Sequence, residues 1–170
     1  MKGYKAQPVE GAAEELLSCN DNELRLFYGK RLASLEPQQD LAGSWLPANA
    51  ASVREFSATA YFFGKALRNT LGVPVGLICT AFGGSACEAW MQADWLKAFP
   101  KVQQTITAED VNKLQQRCPT ALYNGQLKPL IGYGIRGAIW YQGEDNVPRY
   151  DFYAPLMARM MQGWRSEWKQ

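Results

Sequence analysis

The sequence has no histidine among its 170 residues, and this absence limits its chemistry more than any other feature. A Ser-His or Cys-His hydrolase takes its general base from histidine, so these residues cannot complete such a site by themselves. The four cysteines include no CxxC pair and have no histidine to join them. A zinc site is therefore disfavoured, and we expect no metal.

Three other patterns are also missing. The net charge is only +2, and Lys and Arg are scattered, which disfavours nucleic acid as a partner. No apolar run approaches the ~20 residues of a membrane span, so we expect no membrane partner. Residues 1–5 lack the apolar segment of a secretory signal, which leaves the compartment open.

The composition is that of a folded domain. Hydrophobic residues make up 47% and charged residues 20%, an ordinary balance for a globular protein. A chain of this length builds one core but is too short for two domains. We expect residues 1–170 to form a single domain.

A helix followed by a strand indicates the fold class. Ser57 is a suitable N-cap for a helix that extends to Leu71, where Gly72 supplies the stop. Residues 73–79 form an apolar run of strand length, and residues 23–29 alternate as a short strand. This order predicts an α/β fold with a parallel sheet. The apolar face of the helix is expected to comprise Ala60, Phe63, Leu67 and Leu71.

The remaining segments complete the expected order of elements. Residues 29–56 and 99–120 are polar and predict loops, whereas residues 135–141 predict another strand. The last helix carries large apolar residues at i, i+3, i+4, i+7 and i+11, which indicates a core stripe. These residues are Met157, Met160, Met161, Trp164 and Trp168.

The first candidate site is a glycine turn after residues 73–79. Backbone N–H groups of Gly83 and Gly84 would face a ligand there and stabilise an oxyanion. The alternative is a structural turn in which Ser85 caps a short helix and Glu88 completes a capping box. On turn chemistry alone the structural alternative is favoured.

The second candidate site is the polar cluster that follows residues 135–141. In an open α/β sheet, ligands bind at the carboxyl ends of strands. The Gln142 amide would donate to a developing oxyanion, and the Glu144 carboxylate would accept from a substrate hydroxyl. The alternative, a polar loop that includes Asn146 and leads into the last helix, is about equally favoured.

A pair of carboxylates offers a rival chemistry. Glu88 and Glu144 would lie at the ends of neighbouring strands, and two carboxylates across a cleft hydrolyse a glycoside without histidine. Trp90 and Tyr141 beside these turns suit stacking on a sugar ring, although core packing explains them equally well. A non-catalytic sugar-binding module is the third possibility.

Several blocks of sequence around these turns, in one order along nearly the whole chain, resemble a known family. The blocks are residues 56–64, 73–78, 83–85, 88–90, 122–125 with 129–130, and 137–144 with Asn146. The family is that of the sialate O-acetylesterases, which are carbohydrate O-acetylesterases of the SGNH hydrolase type. The resemblance implies a flavodoxin-like, three-layer α/β/α fold with a parallel sheet. It also implies hydrolysis of an O-acetyl ester on a sugar or glycan, without a metal or an organic cofactor.

The resemblance also assigns roles to residues. In the family, a serine in a Gly-Gln-Ser-Asn-Met block attacks the acetyl carbonyl, and a histidine shortly after an aspartate activates it. Gly84 and Gln142 match the residues that help form the oxyanion hole. Gln142 and Glu144 match the catalytic block, with Glu144 organising the site. The candidate substrate-binding residues are Glu88, Trp90, Tyr141 and Asn146.

The serine block and the Asp-His block of the family have no counterpart here. We therefore expect a central fragment of the esterase domain, with a sheet incomplete at both ends and negligible activity by itself. Such a sheet has exposed edges, through which self-association is expected. The resemblance favours an exported or periplasmic location.

Overall fold

The computed structural model describes residues 7–170, which form two compact units of an α/β fold. The first unit comprises the described residues up to Gly29 together with Ala42–Thr80, and the second comprises Lys30–Leu41 and Ala81–Gln170. The expectation of a single domain over 1–170 stays a prediction. Residues 1–5, on which the absence of a signal was argued, lie outside the described residues.

A three-stranded sheet organises the first unit. Its strands are β1 (Asp21–Tyr28), β2 (Trp45–Ala48) and β3 (Val75–Cys79), in the order β2-β1-β3. β1 runs parallel to β3, with Leu24 opposite Val75, and antiparallel to β2. The predicted parallel pairing is confirmed for β1 and β3, but β2 makes the sheet mixed.

Helix α3 (Ala58–Leu71) leads into β3 and has the predicted ends. Ser57 Oγ accepts a hydrogen bond from Ala60 N–H at 3.3 Å, and Gly72 adopts the left-handed conformation with φ 65°. The predicted apolar face is displaced, because the buried residues of α3 are Tyr61 and Gly64.

Helix α1 (Ala12–Ser18) is tied to α3 through one carboxylate. Glu15 Oε1 accepts hydrogen bonds from Tyr61 OH at 2.5 Å and from Lys65 Nζ at 2.6 Å. Burial acts to raise the pKa of Glu15, but the bonds from Lys65 and Tyr61 outweigh it, so the pKa lies below its ordinary value of 4.5. The charged form of Glu15 therefore stabilises the contact between these helices.

Two segments predicted to be loops contain regular structure. Residues 29–56 include β2 and helix α2 (Ala50–Glu55), and residues 99–120 include helix α5 (Ala108–Leu114). Both helices begin with a capping box, formed by Asn49 with Ser52 and by Thr107 with Asp110. The loop predictions were wrong because elements of four to seven residues are too short for hydrophobic periodicity to reveal them.

The second unit consists of short helices around a core rich in tryptophan. Besides α5 it contains α4 (Ala93–Leu96), α6 (Tyr153–Glu167), 3₁₀ turns at Cys87–Trp90 and Glu144–Phe152, and a π-helical turn at Tyr123–Leu127. The indole ring of Trp140 packs edge-on against two others, at 6.4 and 5.5 Å between ring centroids. These partners are Trp90 and Trp164.

Helix α6 follows the predicted stripe only in part. Met160 is fully buried, whereas Met161 is 44% exposed. Leu156 and Gly163 complete the buried face instead. A Cβ at Gly163 would lie 2.5 Å from the Trp95 ring, so the absence of a side chain there allows close packing.

Residues 135–141 do not form the predicted strand. Within residues 7–170 they pair with no β-strand, and Ile139 and Tyr141 are exposed. The carbonyl of Ile135 accepts a hydrogen bond from the Gln170 side chain at 2.8 Å. The prediction was wrong because an apolar run becomes a strand only where a neighbouring backbone pairs with it.

The described part of the chain contains no helix with the length and apolar character of a membrane span.

Candidate functional site

The structure brings the glycine turn and the polar cluster together in the second unit. Gln142 Nε2 donates hydrogen bonds to the Ser85 carbonyl at 2.9 Å and to Asn146 Oδ1 at 2.7 Å. Cys87 N–H donates to the same Asn146 oxygen at 2.9 Å. The two sequence-predicted sites therefore lie together, joined by the bonds from Gln142 to Ser85 and from Cys87 to Asn146.

The turn itself needs a glycine and presents a donor. Gly84 has φ 75°, a left-handed conformation that a residue with a Cβ rarely adopts. Gly84 is exposed, and within residues 7–170 its N–H has no hydrogen-bond acceptor. This N–H is thus available to a ligand oxygen.

The capping box of the structural alternative for this turn is wrong, although the tight turn itself is present. The N-cap of the 3₁₀ turn Cys87–Trp90 is Ala86, which makes no side-chain capping bond. Ser85 Oγ instead accepts a hydrogen bond from Trp90 Nε1 at 3.0 Å. The predicted capping box of Ser85 and Glu88 does not form, because both side chains have other partners.

Glu88 is the buried carboxylate of the site, with a side chain only 7% exposed. Its Oε2 accepts from Asn146 Nδ2 at 2.8 Å, and its Oε1 lies 2.9 Å from an Arg149 guanidinium nitrogen. Asp145 lies 3.4 Å from the same Arg149 nitrogen and 2.5 Å from Arg117 Nε. Both oxygens of Glu88 are therefore engaged, as a buried carboxylate requires.

Tyr153, at the start of α6, was missed by sequence reasoning. Its hydroxyl lies 3.0 Å from Gln142 Oε1 and 3.1 Å from the Gln142 carbonyl oxygen, and it accepts from Trp140 Nε1 at 3.4 Å. A tyrosine near a helix N-terminus has no pattern that distinguishes this role from core packing. Only the fold shows that it meets Gln142.

The candidates differ sharply in exposure. Tyr141 is 81% exposed, and Glu144 is also exposed, with a side chain that forms no hydrogen bond or ion pair within residues 7–170. Trp90, Glu88 and Asn146 are buried, at 5%, 5% and 1% exposure. Among the four candidate substrate-binding residues, only Tyr141 therefore presents its side chain to solvent.

Neither the serine nor the cysteine of this site is placed to act as a nucleophile. Ser85 is 8% exposed, and its hydroxyl oxygen is bound by the Trp90 indole. Burial raises the pKa of Cys87 to about 12, so its thiol stays protonated at neutral pH. The free donor that the site presents is the Gly84 N–H, and a donor of this kind can stabilise a developing negative charge.

A metal centre is not visible in the part of the chain that the structure describes. Residues 7–170 contain no cluster of three cysteine, aspartate or glutamate side chains suited to hold an ion. Glu88 and Asp145 are paired with arginines instead. Their negative charge is already balanced.

Side-chain amides beside an open glycine turn are typical of hydrolases that stabilise an oxyanion. Residues 19–170 match the model of the carbohydrate esterase, sialic acid-specific acetylesterase family. The chain belongs to this family. The resemblance drawn from the sequence is thereby confirmed.

Individual relatives agree with the family. The human sialate O-acetylesterase is 35% identical over 112 residues, which are 64% of this chain and 21% of that protein. The mouse sialate O-acetylesterase is 26% identical over 176 residues, covering 84% of this chain and 32% of its own length. The crystal structure of a carbohydrate acetylesterase from Xanthomonas citri superposes with a TM-score of 0.82 at 36% identity, covering 95% of this chain and 35% of that one.

The chain spans about a third or less of the length of these relatives. The high TM-score over nearly the whole chain confirms the α/β fold of this esterase class.

Proposed function

We propose that this chain carries the oxyanion-stabilising part of a carbohydrate O-acetylesterase site that acts on O-acetyl esters of a sugar or glycan. The observation that carries the proposal is the contact between the two predicted half-sites. Gln142 Nε2 lies 2.9 Å from the carbonyl oxygen of Ser85, the residue after the turn glycine Gly84. Family membership supplies the acetyl ester as the substrate class.

Gly84 and Gln142 would contribute differently. The Gly84 N–H has no protein acceptor within the described residues and would donate directly to the acetyl oxygen as its charge develops. The two hydrogens of Gln142 Nε2 are already used by Ser85 and Asn146. Gln142 would therefore hold the turn in shape, or donate to the oxyanion by exchanging one of these bonds.

The exposed residues beside Gln142 would meet the sugar. Tyr141 offers an open aromatic face for stacking, and the free carboxylate of Glu144 would accept from a sugar hydroxyl or organise the incoming catalytic groups. Glu88, Trp90 and Asn146 would support these residues from within. No cofactor enters this mechanism.

The nucleophilic serine and its histidine would come from polypeptide outside these 170 residues, because the chain has no histidine. The chain alone should then hydrolyse 4-nitrophenyl acetate no faster than buffer does, and a fluorophosphonate should label none of its serines. Robust turnover by the chain alone would overturn this assignment.

The site itself is tested in a longer polypeptide from the same reading frame that hydrolyses the ester. There, Gln142→Ala should lower kcat by roughly 10²–10³, the cost of losing one oxyanion-hole donor. Gln103→Ala is the matched control, because its exposed amide bonds to the Thr105 carbonyl and to Asp110, both outside the site. Equal kcat values for the two variants would contradict the proposal.

A non-catalytic sugar-binding module is the second candidate, favoured by the 81% exposure of Tyr141 beside the site. Titration of an O-acetylated sugar against tryptophan fluorescence tests it, with Tyr150→Ala as a control of matched exposure for Tyr141→Ala. The carboxylate-pair glycosidase has no such support, because both oxygens of Glu88 are engaged.

Self-association and location complete the proposal. Residues 135–141 have the apolar sequence of a strand, yet they pair with no strand in the described part of the chain. An unpaired segment of this kind would pair with strands of other molecules. Sedimentation velocity that shows only monomer at high concentration would contradict self-association. We further propose an exported or periplasmic location, which cell fractionation checks.

A further inference from the structure

Asn146 is nearly inaccessible, with 1% exposure, although it lies in the middle of the site. Its Oδ1 accepts from Cys87 N–H and from Gln142 Nε2, and its Nδ2 donates to Glu88 Oε2. A side chain so enclosed does not touch a substrate. It does touch the glycine turn, the polar loop and the buried carboxylate at once.

The direction of every hydrogen bond around Asn146 follows from two fixed ends. The backbone N–H of Cys87 can only donate, so the amide atom that faces it must be the oxygen. The other amide atom, the nitrogen, then faces the Glu88 carboxylate, which accepts. Because Asn146 Oδ1 also faces Gln142, the Gln142 atom there must be its nitrogen.

The opposite end of the Gln142 amide is held as well. With Nε2 directed to Asn146 and Ser85, Oε1 faces Tyr153, whose hydroxyl donates to it at 3.0 Å. The hydroxyl also accepts from Trp140 Nε1. The Gln142 amide is thus bound at both ends and cannot flip without breaking its bonds to Ser85, Asn146 and Tyr153.

We infer that Asn146, oriented by Glu88, is a positioning residue that holds the Gln142 amide against the glycine turn, with Tyr153 as the second anchor. The expected effect on catalysis rests on the proposed function. The positioning of Gln142 by Asn146 rests on the hydrogen bonds alone. Arg149 completes the arrangement by engaging the other oxygen of Glu88.

The donor and the acceptor of the bond between Asn146 and Glu88 can be exchanged by substitution. Asn146→Asp places a carboxylate oxygen where Nδ2 now lies, 2.8 Å from the oxygen of Glu88, and the two repel. Glu88→Gln leaves a single acceptor oxygen between two donors, Asn146 and Arg149. In the double variant, the new amide at 88 donates to the new carboxylate at 146 and still accepts from Arg149. Net charge returns to that of the wild type.

The direct readout is the side-chain amide NMR signal of Gln142 in the 170-residue chain. In the wild type its hydrogens should exchange with solvent at least tenfold more slowly than those of the exposed Gln103. Asn146→Asp should abolish this protection and the double variant should restore it. Asn112→Asp, an exposed change of the same chemistry on α5, should have no effect.

The second readout is kinetic, in the longer polypeptide described above. Asn146→Asp should lower kcat tenfold or more with KM changed less than threefold, and the double variant should return kcat to within threefold of wild type. Tyr153→Phe removes only one hydroxyl and should also weaken Gln142 protection, so it serves if Asn146→Asp fails to fold.

Two results would overturn the inference. One is unchanged Gln142 protection in Asn146→Asp, and the other is a double variant no better than the worse single variant. If the longer polypeptide with the wild-type sequence has no esterase activity, the proposed function fails, whereas the exchange data on the 170-residue chain still decide whether Asn146 positions Gln142.

Discussion

Each unit of this protein contains a largely buried glutamate that accepts hydrogen bonds from one cationic and one neutral side chain. The two glutamates have different structural roles. Glu15 in the first unit binds Lys65 and Tyr61, both on α3 and one helical turn apart. Glu88 in the second unit binds Arg149 and Asn146, which lie in the 3₁₀ segment Glu144–Phe152, kinked at Arg149. The side chains of the two glutamates are 14% and 7% exposed.

The two glutamates differ in the other contacts that their donor residues make. Tyr61 and Lys65 sit on a helix that satisfies its own backbone, so the contact with Glu15 adds stability to elements that already exist. Asn146 passes the interaction on to Gln142 and to the backbone of Cys87. Around Glu88, hydrogen bonds between polar side chains hold two short 3₁₀ segments together and so determine where the site residues lie.

The largest expected effect tests whether the second unit tolerates any change in backbone packing. A Cβ at Gly125, in the π-helical turn, would lie 2.2 Å from the Leu32 carbonyl oxygen. At Gly64 on α3, the nearest atom is a Leu77 methyl at 2.5 Å, which can rotate away. Gly125→Ala should cost at least about 3 kcal/mol in unfolding free energy and Gly64→Ala about 1–3 kcal/mol.

Urea unfolding followed by circular dichroism measures both changes. Gly134→Ala is the control, because nothing lies within 4 Å of its Cβ position. Equal losses for Gly125→Ala and Gly64→Ala would show that the two units are equally adaptable.

The next prediction tests directly whether Glu15 contributes to stability alone and not to the site. Glu15→Gln should lower the unfolding free energy by about 1–2 kcal/mol, because Tyr61 and the partly exposed Lys65 lose a charged acceptor. It should leave the exchange of the Gln142 amide unchanged, since Glu15 has no part in that network. A change in Gln142 exchange would mean that Glu15 also positions the site.

The contribution of Glu15 to the unfolding free energy should also depend on pH, in a direction that its pKa fixes. The pKa of Glu15 is lowered in the folded protein, so its contribution is fully present above its ordinary value of 4.5 and is lost as pH falls through the lowered folded value. Between these limits Glu15→Gln should show a shallower loss of stability on acidification than the wild type. Parallel curves for the two proteins would contradict this.

Local signals in the sequence predicted α3 well but not the face that it buries. Ser57 and Gly72 mark the ends of α3 through bonds within a few residues, and both ends are confirmed. The buried face contains Gly64, which meets Leu77 closely because it has no side chain. A pattern that counts apolar side chains cannot give weight to a residue that packs by lacking one.

The site was predictable only as far as family resemblance reached. Gly84 and Gln142 could be named, because the family blocks contain them. The bonds of Asn146 to Glu88 and Cys87 span 58 and 59 residues, and no local pattern encodes such distances. Residues 135–141 failed as a strand for the same reason, because pairing depends on a distant backbone.

The smallest expected effect sharpens the contrast between local and long-range bonds. Asn49 caps α2 in the first unit by accepting from the N–H groups of Ala51 and Ser52 at 3.0 and 3.1 Å, and Ser52 Oγ accepts from Asn49 N–H in return. Asn49→Ala should cost about 1 kcal/mol, since the freed N–H groups are exposed or partly exposed and water replaces much of what is lost.

The capping box of α5, in the second unit, uses Thr107 and Asp110 in the same way. Thr107→Ala should therefore lower the unfolding free energy, measured with urea, by about as much as Asn49→Ala. The two caps should match although the units differ in their contacts between residues far apart in the sequence. Neither variant should alter the exchange of the Gln142 amide, because a cap is closed within three residues of the chain. A loss of protection in Thr107→Ala alone would show that α5 supports the site, and would extend the positioning network beyond the residues that touch Asn146.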